Sequence, residues 1–144
     1  EPAENTASSP VEGKKIAYIL NMPSSEIFQF CADQSVETAE KLGMACDVFF
    51  SDGDDTVFKN DITECAEDGY DGLFLSHGGQ EYSYEFLTEL LEDYPELKIV
   101  TFDTQFEESS GETKKIEGVT QFLQGLPQVY WIISVKNYIR RRKR

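Results

Sequence analysis

KIAYILNMPSSEIFQF, residues 15–30, reads as a buried strand, a short polar turn and the opening of a helix. Ile16, Ile19 and Leu20 make a compact apolar run, which Asn21, Pro23 and the serines Ser24 and Ser25 stop. Either serine can accept a hydrogen bond from a free N–H of the first helical turn, and Glu26 suits the positive end of the helix dipole. A crossing of this kind leaves donors in the space above the strand's carboxyl end. In open parallel sheets ligands bind there.

Outward from this stretch the pattern repeats. Phe28, Cys31, Ala32, Ser35, Ala39 and Leu42 recur at three- and four-residue steps as one apolar stripe, and Gly43 supplies the helix stop. Residues 44–51, with Val48, Phe49 and Phe50, read as a second strand that ends in the acidic turn DGDD, residues 52–55. Val57, Phe58, Ile62, Cys65 and Ala66 form the next helical stripe, up to Gly69. GLFLS, residues 72–76, is a continuous apolar run, as expected of a strand covered on both faces, and His77-Gly78-Gly79 breaks it. Tyr84, Leu87, Leu90, Leu91 and Tyr94 carry a third helix, ended by Pro95, and residues 97–102 form a fourth strand that meets Asp103. Strands alternating with crossovers predict an α/β fold, an open parallel sheet with right-handed connections and helices on both faces. Further on, Ile116, Val119, Phe122, Leu123 and Leu126 fit a helical stripe interrupted by Gly118. Residues 129–135, VYWIISV, are the strongest β-former run, and are expected to add a fifth strand beside the fourth.

A chain of 144 residues builds one modest core. The expected organisation is a polar leader over residues 1–13, a single α/β lobe over 14–135 and a basic tail over 136–144. A formal net charge of −14 argues against nucleic acid or an anionic membrane surface as partner for the body of the chain. The six basic residues from Lys136 to Arg144 stand apart from that balance and read as a solvated end. No apolar run reaches the roughly 18 residues that a membrane-spanning helix needs. Cys31, Cys46 and Cys65 contain no CxxC and read as small core residues, not as a disulfide framework or a zinc site. His77, the single histidine, rules out a two-histidine metal site and sits near the rim of the expected cleft. Asp52, Asp54 and Asp55 lack the calcium-loop pattern and read as a solvated turn. No pair of groups at catalytic spacing emerges, so the chain is read as a non-enzyme without cofactor or metal.

The order of KIAYIL (15–20), AEKLG (39–43), GYDGLFLS (69–76) and IVTFD (99–103) resembles the first lobe of type I periplasmic sugar-binding proteins, the ribose-binding-like receptors of bacterial ABC transporters. The resemblance covers roughly residues 14–104 and implies a flavodoxin-like strand order, 2-1-3-4, for this lobe. It also implies Asn21 and Ser25 as polar ligand contacts, Ile27 and Phe28 as an apolar platform, and Asp103 with Thr104 at the end of the fourth strand. A small neutral sugar suits such groups, because a carboxylate accepts two hydroxyl hydrogen bonds and an aromatic face packs on the C–H side of a pyranose. Ser25, Ile27 and Thr104 depart from the ribose-type pattern, which implies a different sugar or a weaker site. Phe28 also starts the first helix's apolar stripe, so platform and core both remain open for it.

By the same resemblance the partners are a sugar and a membrane permease, and the location is extracytoplasmic. The resemblance covers the family's first lobe and not its second, so the chain reads as a fragment, a truncated product or an independent lobe, and one lobe alone is not expected to close over a ligand and exclude water. The end of the chain from Gln124 does not resemble the family. An exposed cleft, and the edge of the fourth strand wherever the fifth does not cover it, predict self-association. Two alternatives share the fold: the sugar-sensing lobe of a transcription regulator, and a flavodoxin-like or response-regulator-like domain. No helix-turn-helix precedes Lys14, the turn after the first strand has neither paired acids nor a phosphate cradle, and strand three ends in Ser76-His77 where a phosphoacceptor needs aspartate.

Overall fold

The computed structural model describes residues 9–102 and 115–122. Strands β1 (Lys15–Leu20), β2 (Ala45–Phe50), β3 (Gly72–Ser76), β4 (Lys98–Phe102) and β5 (Val119–Phe122) form one sheet in the order β2-β1-β3-β4-β5. Every pairing is parallel. Helices α1 (Glu26–Lys41), α2 (Asp55–Glu67) and α3 (Gln80–Asp93) fill the first three crossovers.

Burial explains why β1 is the centre of the sheet. Ala17, Tyr18, Ile19 and Leu20 are all buried, so both faces of this strand are covered. Alternation sends Ala17, Ile19, Leu73, Leu75 and Ile99 to one face, where they pack with Phe58, Ile62 and Cys65 of α2 and with Leu87 and Leu90 of α3. Tyr18 and Leu20 face the other way, onto Ala32 of α1, with Phe28, Cys46, Val48, Phe50 and Phe74 around them. Full burial of a side chain such as Ile19 or Ile62 contributes about 1.5–3 kcal/mol, so these two layers hold the sheet.

The end of the fold corrects the sequence reading. Val119–Phe122 is a strand, with Ile99 opposite Val119 and Phe102 opposite Phe122, and not part of a helical stripe. The place beside β4 therefore belongs to these four residues. The run at 129–135, expected there, lies outside the described residues. Gly118, at φ 89°, turns the chain into β5 with a backbone that suits no helix. Ile116 is buried in the α2/α3 layer and Val119 packs against it, so the apolar spacing that looked helical belongs to a turn and a strand. β5 covers the edge of β4, one of the two grounds for the expected self-association, and is itself the outer strand of the sheet among the described residues. Among the described residues no helix is long and apolar enough to cross a membrane.

Candidate functional site

Register brings the carboxyl ends of the strands to one edge. Leu20 lies opposite Phe50 and Ser76, and Ser76 opposite Phe102. The ladder continues one residue further: the Asn21 N–H donates to the Ser76 carbonyl at 3.0 Å, the Ser51 N–H to Leu20 at 2.9 Å and the His77 N–H to Phe102 at 3.4 Å. Asn21, Ser51, Ser76 and His77 thus form a polar row where the apolar strands stop. Phe102, the last residue of β4, ends at this same edge. Asp103 and Thr104 themselves lie outside the described residues.

Asn21 extends the Ala17–Ile19 face and is buried. Its Nδ2 donates to Asp55 Oδ1 at 2.8 Å. Tyr82 of α3 donates its hydroxyl to that same oxygen at 2.7 Å and accepts from the Gly79 N–H at 2.9 Å, while the Lys59 ammonium lies 4.3 Å from the Tyr82 ring centroid. A carboxylate only accepts, so Asp55 fixes which end of the Asn21 amide faces it. The amide oxygen Oδ1 is left buried with no partner among the described residues. Burial, together with the Asp55 acceptor, pushes the Tyr82 hydroxyl well above the usual tyrosine pKa, so it stays a donor.

The β1–α1 turn differs from its expected form. Ser25 occupies the N-cap with extended backbone (φ −92°, ψ 164°), yet its side chain makes no capping bond. Its Oγ is buried without a partner, and Ser24 instead donates to Gln29 Oε1 at 3.3 Å. Ile27 is 53% exposed. Phe28 packs on the Tyr18/Leu20/Ala32 layer, which is the core role, and meets the His77 ring edge-on, with centroids 5.4 Å apart at 78°. His77 has left-handed backbone, φ 61°, and its Nδ1 is hydrogen-bonded to Ser76 Oγ. Ser76 is fully buried, so this contact orients the ring and presents no accessible nucleophile. On β4, Thr101 Oγ1 is another buried oxygen without a partner among the described residues.

The sequence reading grouped Asp55 with Asp52 and Asp54 as a solvated turn and gave Tyr82 no role. Asp54 caps α2, accepting from the N–H groups of Thr56 at 2.8 Å and Val57 at 3.2 Å. Asp55 looks past the turn to Asn21. The available signal was topological: an acid opening the helix after β2 must lie beside the end of β1 once those two strands pair. Among the described residues no group of three or more histidine, cysteine, aspartate or glutamate side chains is arranged to hold a metal ion. Cys65 is buried, and burial pushes its thiol up to about 11.

No protein-family model and no curated protein matches the chain. Solved structures do. The crystal structure of a sugar ABC transporter from Yersinia enterocolitica subsp. enterocolitica 8081 is 29% identical with a TM-score of 0.66, over 76% of this chain and 31% of that one. An ABC transporter solute binding protein from Mycobacterium smegmatis, with bound glycerol, is 21% identical with a TM-score of 0.54, over 66% of this chain and 32% of its own. A fragment of a putative lipoprotein from Peptoclostridium difficile 630 shares the fold at 21% identity and a TM-score of 0.54, over 75% of this chain and 83% of that one. The chain thus spans about a third of the length of the two transporter proteins. In architecture and strand order it has the fold of a single lobe of the solute-binding proteins of sugar ABC transporters, as the resemblance in its sequence implied.

Proposed function

We propose that this chain is the sugar-binding lobe of an extracytoplasmic ABC-transporter solute-binding protein, which holds a small neutral carbohydrate without chemistry and in its complete form meets a membrane permease. Residues 14–135 make up the lobe. The contacts are Asn21 and Ser25 as polar groups, Ile27 and Phe28 as the apolar platform, and Asp103 with Thr104 after β4. The observation that carries this reading is the pair of buried, unpartnered oxygens, Asn21 Oδ1 and Ser25 Oγ, at the start and end of the turn after β1. Buried polar atoms are nearly always hydrogen-bonded, and exceptions mark places where a partner arrives from outside. With Nδ2 committed to Asp55, Asn21 offers an acceptor, which suits a hydroxyl donor. The likeness to a sugar ABC transporter at 29% identity supports the ligand class.

One lobe supplies one side of the site, so the affinity expected of this chain alone is about millimolar, roughly 4 kcal/mol. Two-dimensional amide NMR with a panel of neutral monosaccharides tests it. Saturable shifts of the Asn21, Ser25 and Asp103 amides are expected with at least one sugar, and Asp103→Ala removes them. A panel that leaves these amides unmoved at saturating sugar refutes the reading.

A further inference from the structure

The chain contains the pair Asp-Gly at Asp52-Gly53, Asp68-Gly69 and Asp71-Gly72. In such a pair the aspartate carboxyl can reach the next backbone nitrogen, and glycine has no side chain to crowd it. The fold treats the three differently. Where α2 ends, the Gly69 N–H donates to the Ala66 carbonyl at 3.2 Å, so that nitrogen is engaged. The Asp71 carboxylate accepts from the Lys15 N–H at 2.8 Å and lies 3.4 Å from Lys14 Nζ, and the Lys15 N–H above all holds it ionised. Gly72, its neighbour, is buried at the start of β3.

Asp52 and Gly53 have neither restraint. Both are exposed and form the middle of a turn that the Asp54 N–H closes onto the Ser51 carbonyl at 2.9 Å. Positive φ at both, 55° and 78°, is the mark of a type I′ turn, whose central nitrogen takes no part in the closing bond. Among the described residues neither the Gly53 N–H nor the Asp52 carboxylate has a hydrogen-bond partner. Nothing lies within 4 Å of where a Cβ on Gly53 would stand, so the peptide plane between the two residues has room to rotate.

We propose that Asp52-Gly53 is a site of spontaneous modification, at which Asp52 isomerises to isoaspartate through a cyclic imide while Asp68 and Asp71 are preserved in the folded chain. The Gly53 nitrogen forms a bond to Asp52 Cγ, and the carboxyl hydroxyl leaves with the nitrogen's proton as water. Water then adds back at the Asp52 main-chain carbonyl and breaks its bond to the Gly53 nitrogen. The main chain now runs through Cγ, one methylene longer, and no oxidant or cofactor is consumed. An ionised carboxylate such as Asp71 has no hydroxyl to lose. The added methylene falls next to Asp54, which caps α2, and Asp55, which holds Asn21, so the change reaches the candidate site.

The test keeps the full chain folded near neutral pH for weeks and maps its peptides by mass spectrometry with electron-transfer fragmentation, which separates isoaspartate from aspartate. Isoaspartate is expected at position 52 several-fold faster than at 68 or 71, preceded by a fraction of chain lighter by one water. In urea the three pairs are expected to convert at comparable rates, since the fold no longer separates them. Asp52→Glu, whose side chain must close a larger ring, removes the signal at 52 and leaves 68 and 71 unchanged. Asp52→Asn accelerates it, because ammonia leaves in place of water; circular dichroism confirms the fold of each variant. The converted chain is expected to unfold at lower urea than the fresh one. Equal conversion of all three pairs in the folded chain overturns the proposal. So does conversion at 52 in urea but not in the folded chain, which would show that the turn protects it, and equal urea midpoints overturn the link to the α2 cap.

Discussion

Removing the Asp55 carboxylate tests the network beneath the candidate site. Asp55 Oδ1 accepts from Asn21 Nδ2 at 2.8 Å and from the Tyr82 hydroxyl at 2.7 Å. Hydrogen bonds to a charged acceptor contribute about 1.5–3 kcal/mol each when shielded. Asp55 itself is exposed, so water takes over part of the role it leaves, above all at Tyr82. Asn21 is buried, and its amide then has neither Nδ2 nor Oδ1 satisfied, which costs about 1–3 kcal/mol. Asp55→Ala is therefore expected to destabilise the chain by about 2 kcal/mol, which at about 4 °C per kcal/mol lowers Tm by roughly 8 °C. Asp55→Asn keeps an acceptor at that position and is expected to cost less than half as much.

The assay is urea unfolding of Asp55→Ala, Tyr82→Phe and the double variant, with unchanged m values as the check that only stability moved. Groups that share one oxygen are coupled, so the double variant should lose about 1 kcal/mol less than the two single losses together. A loss below about 0.5 kcal/mol for Asp55→Ala, or strict additivity with Tyr82→Phe, refutes the reasoning.

Other consequences can be measured on the same chain. Ile62→Ala empties a fully buried position between α2 and the sheet and is expected to cost about 2–5 kcal/mol in urea unfolding; a loss under about 1 kcal/mol contradicts the packing described. Tyr82 and Tyr70 both have raised pKa values, burial being the larger cause in each, so the unfolded chain gives up these protons before the folded one does. Their contribution is intact below about pH 10 and declines as pH rises above it, and Tyr82→Phe should flatten that alkaline limb in unfolding measured across the range. A Cβ at Gly79 would run into the Tyr82 ring, so Gly79→Ala is expected to cost about 1–3 kcal/mol and to abolish the coupling between Asp55 and Tyr82; a preserved coupling would show that the ring has another way to reach Asp55.

The first four strands and three helices were legible because each signal is local. An apolar run with a polar stop, followed by a stripe at helical spacing, identifies a strand and its crossover without knowledge of neighbours. Once the strands are parallel and in register, their carboxyl ends must share an edge, so Asn21 and His77 could be placed before their contacts were known. The fifth strand escaped because its signal is not local. In Ile116, Val119 and Phe122 a spacing of three residues imitates a helix, while the deciding interaction is the open edge of β4. A four-residue strand has too few positions for alternation to outweigh that imitation.

The same distinction divides the residues of the candidate site. Asn21 announces itself by ending an apolar strand, but Asp55 is 34 residues away and opens a helix, where an acid has a sufficient local explanation in the dipole. Tyr82 is 27 residues further on, in a helix whose aromatic residues read as core. Only the placement of β2 beside β1 and of β3 on the other side turns α2 and α3 so that their first turns meet over Asn21. The orientation of the Asn21 amide is thus set by two residues from other crossovers. Under the proposed sugar-binding role, a substitution at Tyr82 should accordingly weaken binding through the Asn21 amide while Ser25 and Phe28 keep their own positions.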